Sequence, residues 1–494
     1  MQIIISPAKK MRVDNDDIGA ARLPVFLTKT EELLTALRAL DYKSLQKLWQ
    51  CNDAIAELNY NRLQCMDLRR NLTPAVFSYD GLQYQHIAPN VLDEAALKYL
   101  EGHLKILSGF YGILSAFAYI DAHRSEMLKM WEELVSIDSG SDYKPGVDKV
   151  VAKVAGILTD MGGKTRIVEH ENAGNAVVSE FGDCKTKPFI VLTGHLDTVF
   201  SDPETTKKRP FTIKEGRAYG PGALDRKGGV TLAIHGLQAL QNAGFDKYAF
   251  KVVFAGDEET GHKNSDLAET MMAEFKGALA AFDFETGFMN DNVVVERKGF
   301  YRFIMETFGR SVHAGNEPEN GRNAIVELAR KAVDIDALTD WNTGTTINVG
   351  TIEGGTVANA VPAYARMEVD VRYLDPADFE KKKEQFEVIA GKVYIKDVTT
   401  KMTPVAGLEP MVRLDGNMKL FDVYKSVYEE EGFGSPEPIL VGGGSDATYT
   451  TKVGVPTVCA VGVKGGLNHT VDEFADVESL FMRAKVFIGT VLKL

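Results

Sequence analysis

A chain of 494 residues is too long for one ordinary hydrophobic core, so two to four domains are expected. Its 45% hydrophobic and 25% charged content is that of a globular protein. The formal net charge of −13 counts against a life on nucleic acid, and no apolar run approaches the roughly 18 residues that a membrane span needs.

Cys51, Cys65, Cys184 and Cys459 stand far apart with no CxxC pair, which fits a reducing compartment rather than a disulfide framework. The opening MQIIISPAKKM has too short an apolar run for a signal-peptide core, and its basic residues follow that run instead of preceding it. The expected location is therefore cytoplasmic.

Four regions separate along the chain. Residues 1–114 open with a strand over 2–5. Helical patterns follow at 29–40, on to about Cys65, and again at 92–114. Residues 115–293 alternate helices with strands. Helices are expected at 125–134, at 147–161 before Gly162-Gly163, and at 230–242 before Gly244. Strands are expected at PFIVLT (188–193), 250–255 and 278–284, as continuous apolar runs of the kind buried on both faces. This alternation predicts a mostly parallel sheet with helices on both faces.

Residues 294–404 read as an insertion. Strands at 300–308, 345–352, 363–373 and 392–400 and helices at 322–338 and 376–390 give βαββαβ, a ferredoxin-like α+β order. Residues 405–494 resume the α/β style with a helix at 418–431, a strand at 457–461 and a closing helix at 477–492.

Five segments concentrate acids and histidines just beyond strand ends, where open α/β sheets bind ligands. In GHLDT, His195 and Asp197 lie two apart and point the same way in extended chain. Asp197 can then steady the ring of a metal-bound His195. In GPGALDRKGG, the glycines allow tight turns, and the two oxygens of Asp225 suit it to bridging two cations. In GDEETG, three adjacent acids repel one another without cations. Glu258 and Glu259 diverge, so that one can bind metal and the other shuttle protons. In FDFET, either Asp283 or Glu285 is a ligand candidate, and NHTVDEF supplies a second histidine, His469. Two histidines with several carboxylates and no cysteine suit two divalent ions, zinc first, with cobalt or manganese as alternatives. Such paired ions sit about 3.5–4 Å apart.

Together with SVHAG and GGGSDAT, these motifs resemble the zinc exopeptidase and deacylase family that includes carboxypeptidase G, the aminoacylases, acetylornithine deacetylase and succinyl-diaminopimelate desuccinylase. The resemblance spans about residues 121–494. It implies that His195, Asp225 and Glu285 hold one metal and that Asp225, Glu259 and His469 hold the other, with Asp283 outside the set. Glu258 takes the general-base position and Asp197 the place behind His195. The insertion resembles that family's lid and dimerisation domain, which implies a homodimer. His313 would steady the reaction oxyanion, in many members that of the neighbouring subunit. Asn359 and Arg372 match substrate-binding positions, and a guanidinium suits bidentate grip of a carboxylate. The implied activity is hydrolysis of an amide bond next to a free carboxylate, most like a glutamate carboxypeptidase, with N-acyl amino acid deacylase or dipeptidase as the alternative.

Residues 1–114 resemble a different family. MQIIISPAKKM, LTPAVFSYDGLQY and HLKILSGFYGIL are similar to the first half of the YaaA peroxide-stress family. Where that family continues with arginine-proline-leucine, this chain has Ser115-Ala116-Phe117. A DNA-binding stress role through this segment is the reading of a different class, which the acidic balance and the missing half oppose. The expectation is a fused, dispensable remnant.

Overall fold

The computed structural model describes residues 3–5, 10–11, 27–49, 53–66, 79–80, 104–106 and 116–494. Residues 1–122 with 239–245 form one compact unit, and 123–238 with 246–494 form the other.

In the first unit, the strand Ile3–Ile5 pairs in parallel with Leu104–Ile106, and Lys10–Met11 pairs antiparallel with Tyr79–Asp80. The helices Leu27–Arg38, Tyr42–Trp49 and Asp53–Cys65 bury Leu34, Leu45 and Leu63 together. The helix expected at 92–114 is corrected at its centre. Leu104–Ile106 is strand, because its backbone completes a ladder with the apolar Ile3–Ile5 run. The rest of that stretch, like Gln2, lies outside the described residues.

The second unit is built on an eight-stranded sheet. Its order is Pro438–Val441, Val293–Arg297, Thr457–Cys459, Ala280–Asp283, Phe189–His195, Ala249–Ala255, Ala176–Phe181 and Lys164–Val168. The three strands from Ala280–Asp283 to Ala249–Ala255 are parallel to one another, as are the outer pair Val293–Arg297 and Pro438–Val441. The two strands at the other edge are antiparallel, and the reading from apolar runs did not find them. Every residue of Phe189–His195 and Ala249–Ala255 is buried, as expected of strands covered on both faces. On one face Phe189, Val191, Val253 and Ala281 pack with Leu267, Met271 and Phe275 of the helix Leu267–Phe275. Phe282, which points the other way, meets Phe487 of the helix Val477–Lys493 edge-on at 5.0 Å.

Between the two stretches of this sheet's chain lies a four-stranded antiparallel sheet in the order Thr346–Gly354, Tyr364–Tyr373, Gly299–Phe308, Thr399–Leu408. The helices Ala324–Asp336 and Pro376–Gly391 pack Leu328, Phe386 and Ile389 against Phe303, Met305 and Val369. The βαββαβ order is present, but the strand expected at 392–400 is displaced to Thr399–Leu408 and runs past residue 404. The cause is local. The backbone N–H groups of Tyr394 and Ile395 donate to the buried carboxylate of Glu327, so this stretch cannot enter a ladder. Among the described residues, no helix is long and apolar enough to cross a membrane.

Candidate metal centre

The site assembles where three parallel strands release their chain ends. His195 closes the strand Phe189–His195 and is 1% exposed. Its Nδ1 lies 3.1 Å from the Asp197 carbonyl oxygen and 3.3 Å from Asp197 Oδ1, which turns Nε2 toward the acids. Asp197 also accepts the N–H groups of Glu258 and Glu259 at 3.3 and 3.2 Å and the hydroxyl of Ser141 at 2.7 Å. One buried carboxylate therefore orients both the histidine and the acidic segment that follows Ala249–Ala255.

Asp225 is carried by the turn after Gly220-Pro221-Gly222. Gly222 holds φ +76, a left-handed value that glycine adopts without strain, and a Cβ there would meet Thr198 Cγ2 at 2.8 Å. One oxygen of Asp225 lies 3.3 Å from His195 Nε2, the other 3.1 Å from His469 Nε2. His195 Nε2 is also 3.6 Å from Glu285, and His469 Nε2 is 3.4 Å from Glu259. Two groups result, His195–Asp225–Glu285 and Asp225–Glu259–His469. Within each group the ligand atoms lie within 4.8 Å of one another, and Asp225 is shared.

The donor set fits a pair of divalent cations. Asp225 Oδ1, which faces the His195 ring at 3.3 Å, and Glu259 Oε1 are buried without a hydrogen bond, so each keeps acceptor capacity that a cation would take up. Burial, joined by the charge of Asp225, pushes the Glu259 carboxyl up to about 10. Burial also raises Glu258 well above the usual carboxylate range; His195 opposes this, while Asp446, Glu285 and Asp197 add to it. For Asp225 burial works the other way from its two histidine partners, which win and hold it well below the ordinary value. Burial lowers the His195 imidazole, but Asp197, Asp225 and Glu258 outweigh it and raise the ring well above its ordinary value. The cluster is short of positive charge, and a bound dication would supply it.

Glu258 Oε2 stands 3.9 Å from His195 Nε2 and belongs to neither group. Asp283 is also outside both. It accepts from Ser445 at 3.0 Å and from the Cys459 thiol at 2.9 Å, and it pairs with Arg226 at 2.9 Å.

The lid residues are placed differently. His313 is exposed, its Nδ1 accepting from the N–H of Gly315 at 3.1 Å, and it bridges to Ala360 beside the exposed Asn359. Among the described contacts, neither touches the five-residue cluster. Arg372 is already engaged. Its Nε and Nη2 donate to Asp370 at 2.6 and 3.2 Å, and its Nη1 donates to the Gly442 carbonyl at 2.9 Å.

Several residues around the site escaped the sequence reading. Arg226 is fully buried, with Nη1 2.5 Å from Glu285. It packs so closely on the strand that a Cβ at Gly194 would lie 2.5 Å from its Nη2. His262 lies between two buried acids, 2.7 Å from Asp257 and 2.7 Å from Asp446. It ties the segment bearing Glu258 to the loop after Pro438–Val441. Arg226 stands inside a quoted motif, but no pattern separates a buried arginine from a solvated one.

Residues 191–493 match the family model described as Peptidase family M20/M25/M40. The chain belongs to this peptidase family. Ahead of the M20 domain, residues 1–159 match the model for the peroxide stress protein YaaA, so the chain is a fusion of the two. A UPF0246 protein of Pediococcus pentosaceus is 50% identical over 127 residues, 26% of this chain and 51% of that protein. The chain thus spans about half the length of the curated relatives it matches. Aminopeptidase PepT from Bacillus cereus shares the M20 fold with a TM-score of 0.63 at 23% identity, over 74% of this chain and 98% of that one. An M20 family metallo-carboxypeptidase, Sso-CP2 from Sulfolobus solfataricus, does so with a TM-score of 0.60 at 19% identity, over 74% and 98%. At these identities the likeness speaks for the fold.

Proposed function

We propose that this M20 member is a di-metal hydrolase that cuts an amide bond next to a free carboxylate, as a glutamate carboxypeptidase does. The observation that carries the reading is the pair of ligand groups sharing Asp225, with the Glu258 carboxylate beside them in neither. His195, Asp225 and Glu285 would hold one ion, and Asp225, Glu259 and His469 the other. Zinc suits the mixed histidine and carboxylate donors best, with cobalt or manganese as substitutes. When bound, such ions supply Lewis acidity and lower the pKa of water from 15.7 toward about 7.

The chain's own residues do the rest. Glu258 takes the proton of the attacking water and returns it to the leaving amine nitrogen. Asp197 keeps His195 in one orientation and fixes the backbone of 258–259. His313 and Asn359 serve as donors to the substrate from the lid, and we assign the lid and dimerisation role to residues 294–404 between catalytic segments 115–293 and 405–494. Since His313 makes no contact with the five-residue cluster of its own subunit, a lid-to-lid homodimer that offers it to the neighbouring site is part of the proposal. Arg372 would grip the substrate carboxylate by exchanging Asp370 for it. That occupied fork favours a second reading, dipeptidase or N-acyl amino acid deacylase, with the carboxylate held elsewhere. Among the described residues, Cys65, Cys184 and Cys459 are free, which supports a cytoplasmic setting.

The test is amino acid release by the zinc-loaded protein from C-terminal glutamate dipeptides, other dipeptides and N-acyl amino acids, with Glu258→Ala as control. Metal-dependent release of glutamate, lost in the control, supports the first reading. Release from the other substrates alone moves the assignment to the second. No release by a protein that holds two ions overturns both.

A further inference from the structure

His469 poses a positioning problem. Its side chain is 53% exposed, and it sits in a turn where Leu467 and His469 both take left-handed φ values, +60 and +65. The turn's own bonds are local, from Thr470 to Leu467 and from Asp472 to Thr470. Packing alone therefore does not hold this imidazole against Asp225, which is itself buried on the other side of the site.

Four residues on, Glu473 is 1% exposed. Its Oε1 accepts the N–H of Gly222 at 2.6 Å and the N–H of Ala223 at 3.1 Å, in the turn that leads to Asp225. Its Oε2 is buried with no hydrogen-bond partner, so these two amides carry its whole hydrogen bonding. The strand Phe474–Asp476 pairs antiparallel with Arg217–Tyr219, which brings the two segments side by side. Leu224 also packs on Gly465, on the strand that leads into the His469 loop, and beyond the end of that ladder the Glu473 carboxylate adds a polar link toward the site.

We infer that Glu473 is a positioning residue that clamps the Asp225 turn to the His469 segment and so sets the second cation site. It is no ligand, since it belongs to neither ligand group. Loss of the clamp frees the half-exposed His469 segment, while Asp225 stays held in the buried turn beside Arg226 and Lys227. The ion shared by Asp225, Glu259 and His469 is therefore the one affected. This inference rests on the proposed pair of cation sites.

The experiment is equilibrium dialysis of the full chain against buffered Zn²⁺, with ions per chain read by elemental analysis, and the same titration with Co²⁺ read by its visible absorption. The wild type is expected to bind two ions. Glu473→Ala is expected to keep one at wild-type affinity and to bind the other about 10–100-fold more weakly, the usual effect of removing an outer-shell partner. Glu473→Gln, whose carbonyl oxygen accepts the same two amides, is expected to bind both ions as the wild type does. If Glu473→Ala fails to fold, Glu473→Asp, too short to reach both amides, carries the same expectation. Wild-type affinity for both ions in the Ala or Asp variant overturns the clamp, and so does a Gln variant as weak as Ala. A wild type that binds fewer than two ions overturns the paired-site reading instead.

Discussion

Glu258 combines two properties at the scale of a single residue. Its backbone N–H is fixed by Asp197, and its carboxyl group is held above the usual range by burial amid other acids. A base in this position belongs to neither ligand group, so its removal and metal loss should separate. Glu258→Gln is expected to retain both ions while turnover falls about 10²–10⁴-fold, the worth of a positioned acid-base group. Parallel kcat and metal measurements check this, and near-normal turnover would remove Glu258 as the base. His235 offers a second prediction, on stability. It is buried with both ring nitrogens lacking hydrogen-bond partners, and burial pushes it down to about 4 from an ordinary 6.5, with His123 adding to the effect. Between those values the unfolded chain holds the extra proton, so stability rises with pH. This contribution is present in full above about 6.5 and is lost as pH falls to about 4, at about 1.36 kcal/mol per pH unit. Urea midpoints should fall more steeply over that window in the wild type than in His235→Leu; equal slopes would count against the assignment.

At the scale of elements, the lid depends on a buried ion pair. Glu327 and Lys331 stand 3.3 Å apart on the helix Ala324–Asp336, both side chains fully buried. Lys331 Nζ donates to the carbonyls of Ile389, Ala390 and Lys392, closing the C-terminal end of the helix Pro376–Gly391. The Ile389 carbonyl also accepts the Lys392 N–H, but carbonyls at a helix end run short of backbone donors, so the ammonium satisfies acceptor capacity that burial would otherwise strand. Lys331→Met removes the ammonium from these carbonyls and leaves the buried Glu327 charge without its ion-pair partner, with only the Tyr394 and Ile395 amides on it, at an expected cost of about 3–5 kcal/mol. Chemical denaturation measures the loss. Hydrogen exchange should localise it to residues 376–398, and unchanged protection there would refute the capping role.

The arrangement of the whole molecule raises two questions, the source of His313 and the need for the N-terminal segment. In the proposed homodimer, His313→Ala and Glu258→Ala subunits are inactive for different reasons. Mixing and exchanging them should create hybrid dimers with one intact site, so activity returns to a fraction of wild type. No recovery, with exchange verified by light scattering and labelled subunits, would place His313 in its own subunit's site or outside the reaction. The described part of the N-terminal unit contributes none of the five clustered residues. A chain beginning at Ala118 is therefore expected to keep two ions and substrate turnover within about twofold, the size of effect that distant surface changes produce. Loss of solubility or activity would make the YaaA-type segment a structural requirement.

The sequence by itself determined the class of fold and the candidates for chemistry. PFIVLT and KVVFA are long apolar runs, which only a strand covered on both faces can bury, and acids at their ends have few structural uses. That is why His195, Asp225, Glu258, Glu259, His469 and the pair Asp283 and Glu285 could be named as candidates from order and spacing, while the choice between Asp283 and Glu285 rested on the family resemblance. The tertiary structure decided what depends on distant partners. Only the parallel pairing to Ile3–Ile5 makes Leu104–Ile106 a strand, because so short a stretch as Leu-Lys-Ile serves either helix or sheet. Only the Glu327 carboxylate, some 67 residues away in sequence, keeps Tyr394 and Ile395 out of a ladder. Burial likewise turns Arg226, His262 and Glu473 from ordinary charged residues into parts of the site's frame. Charge is written in the sequence, but burial and the identity of the group that balances it arise only when remote segments pack.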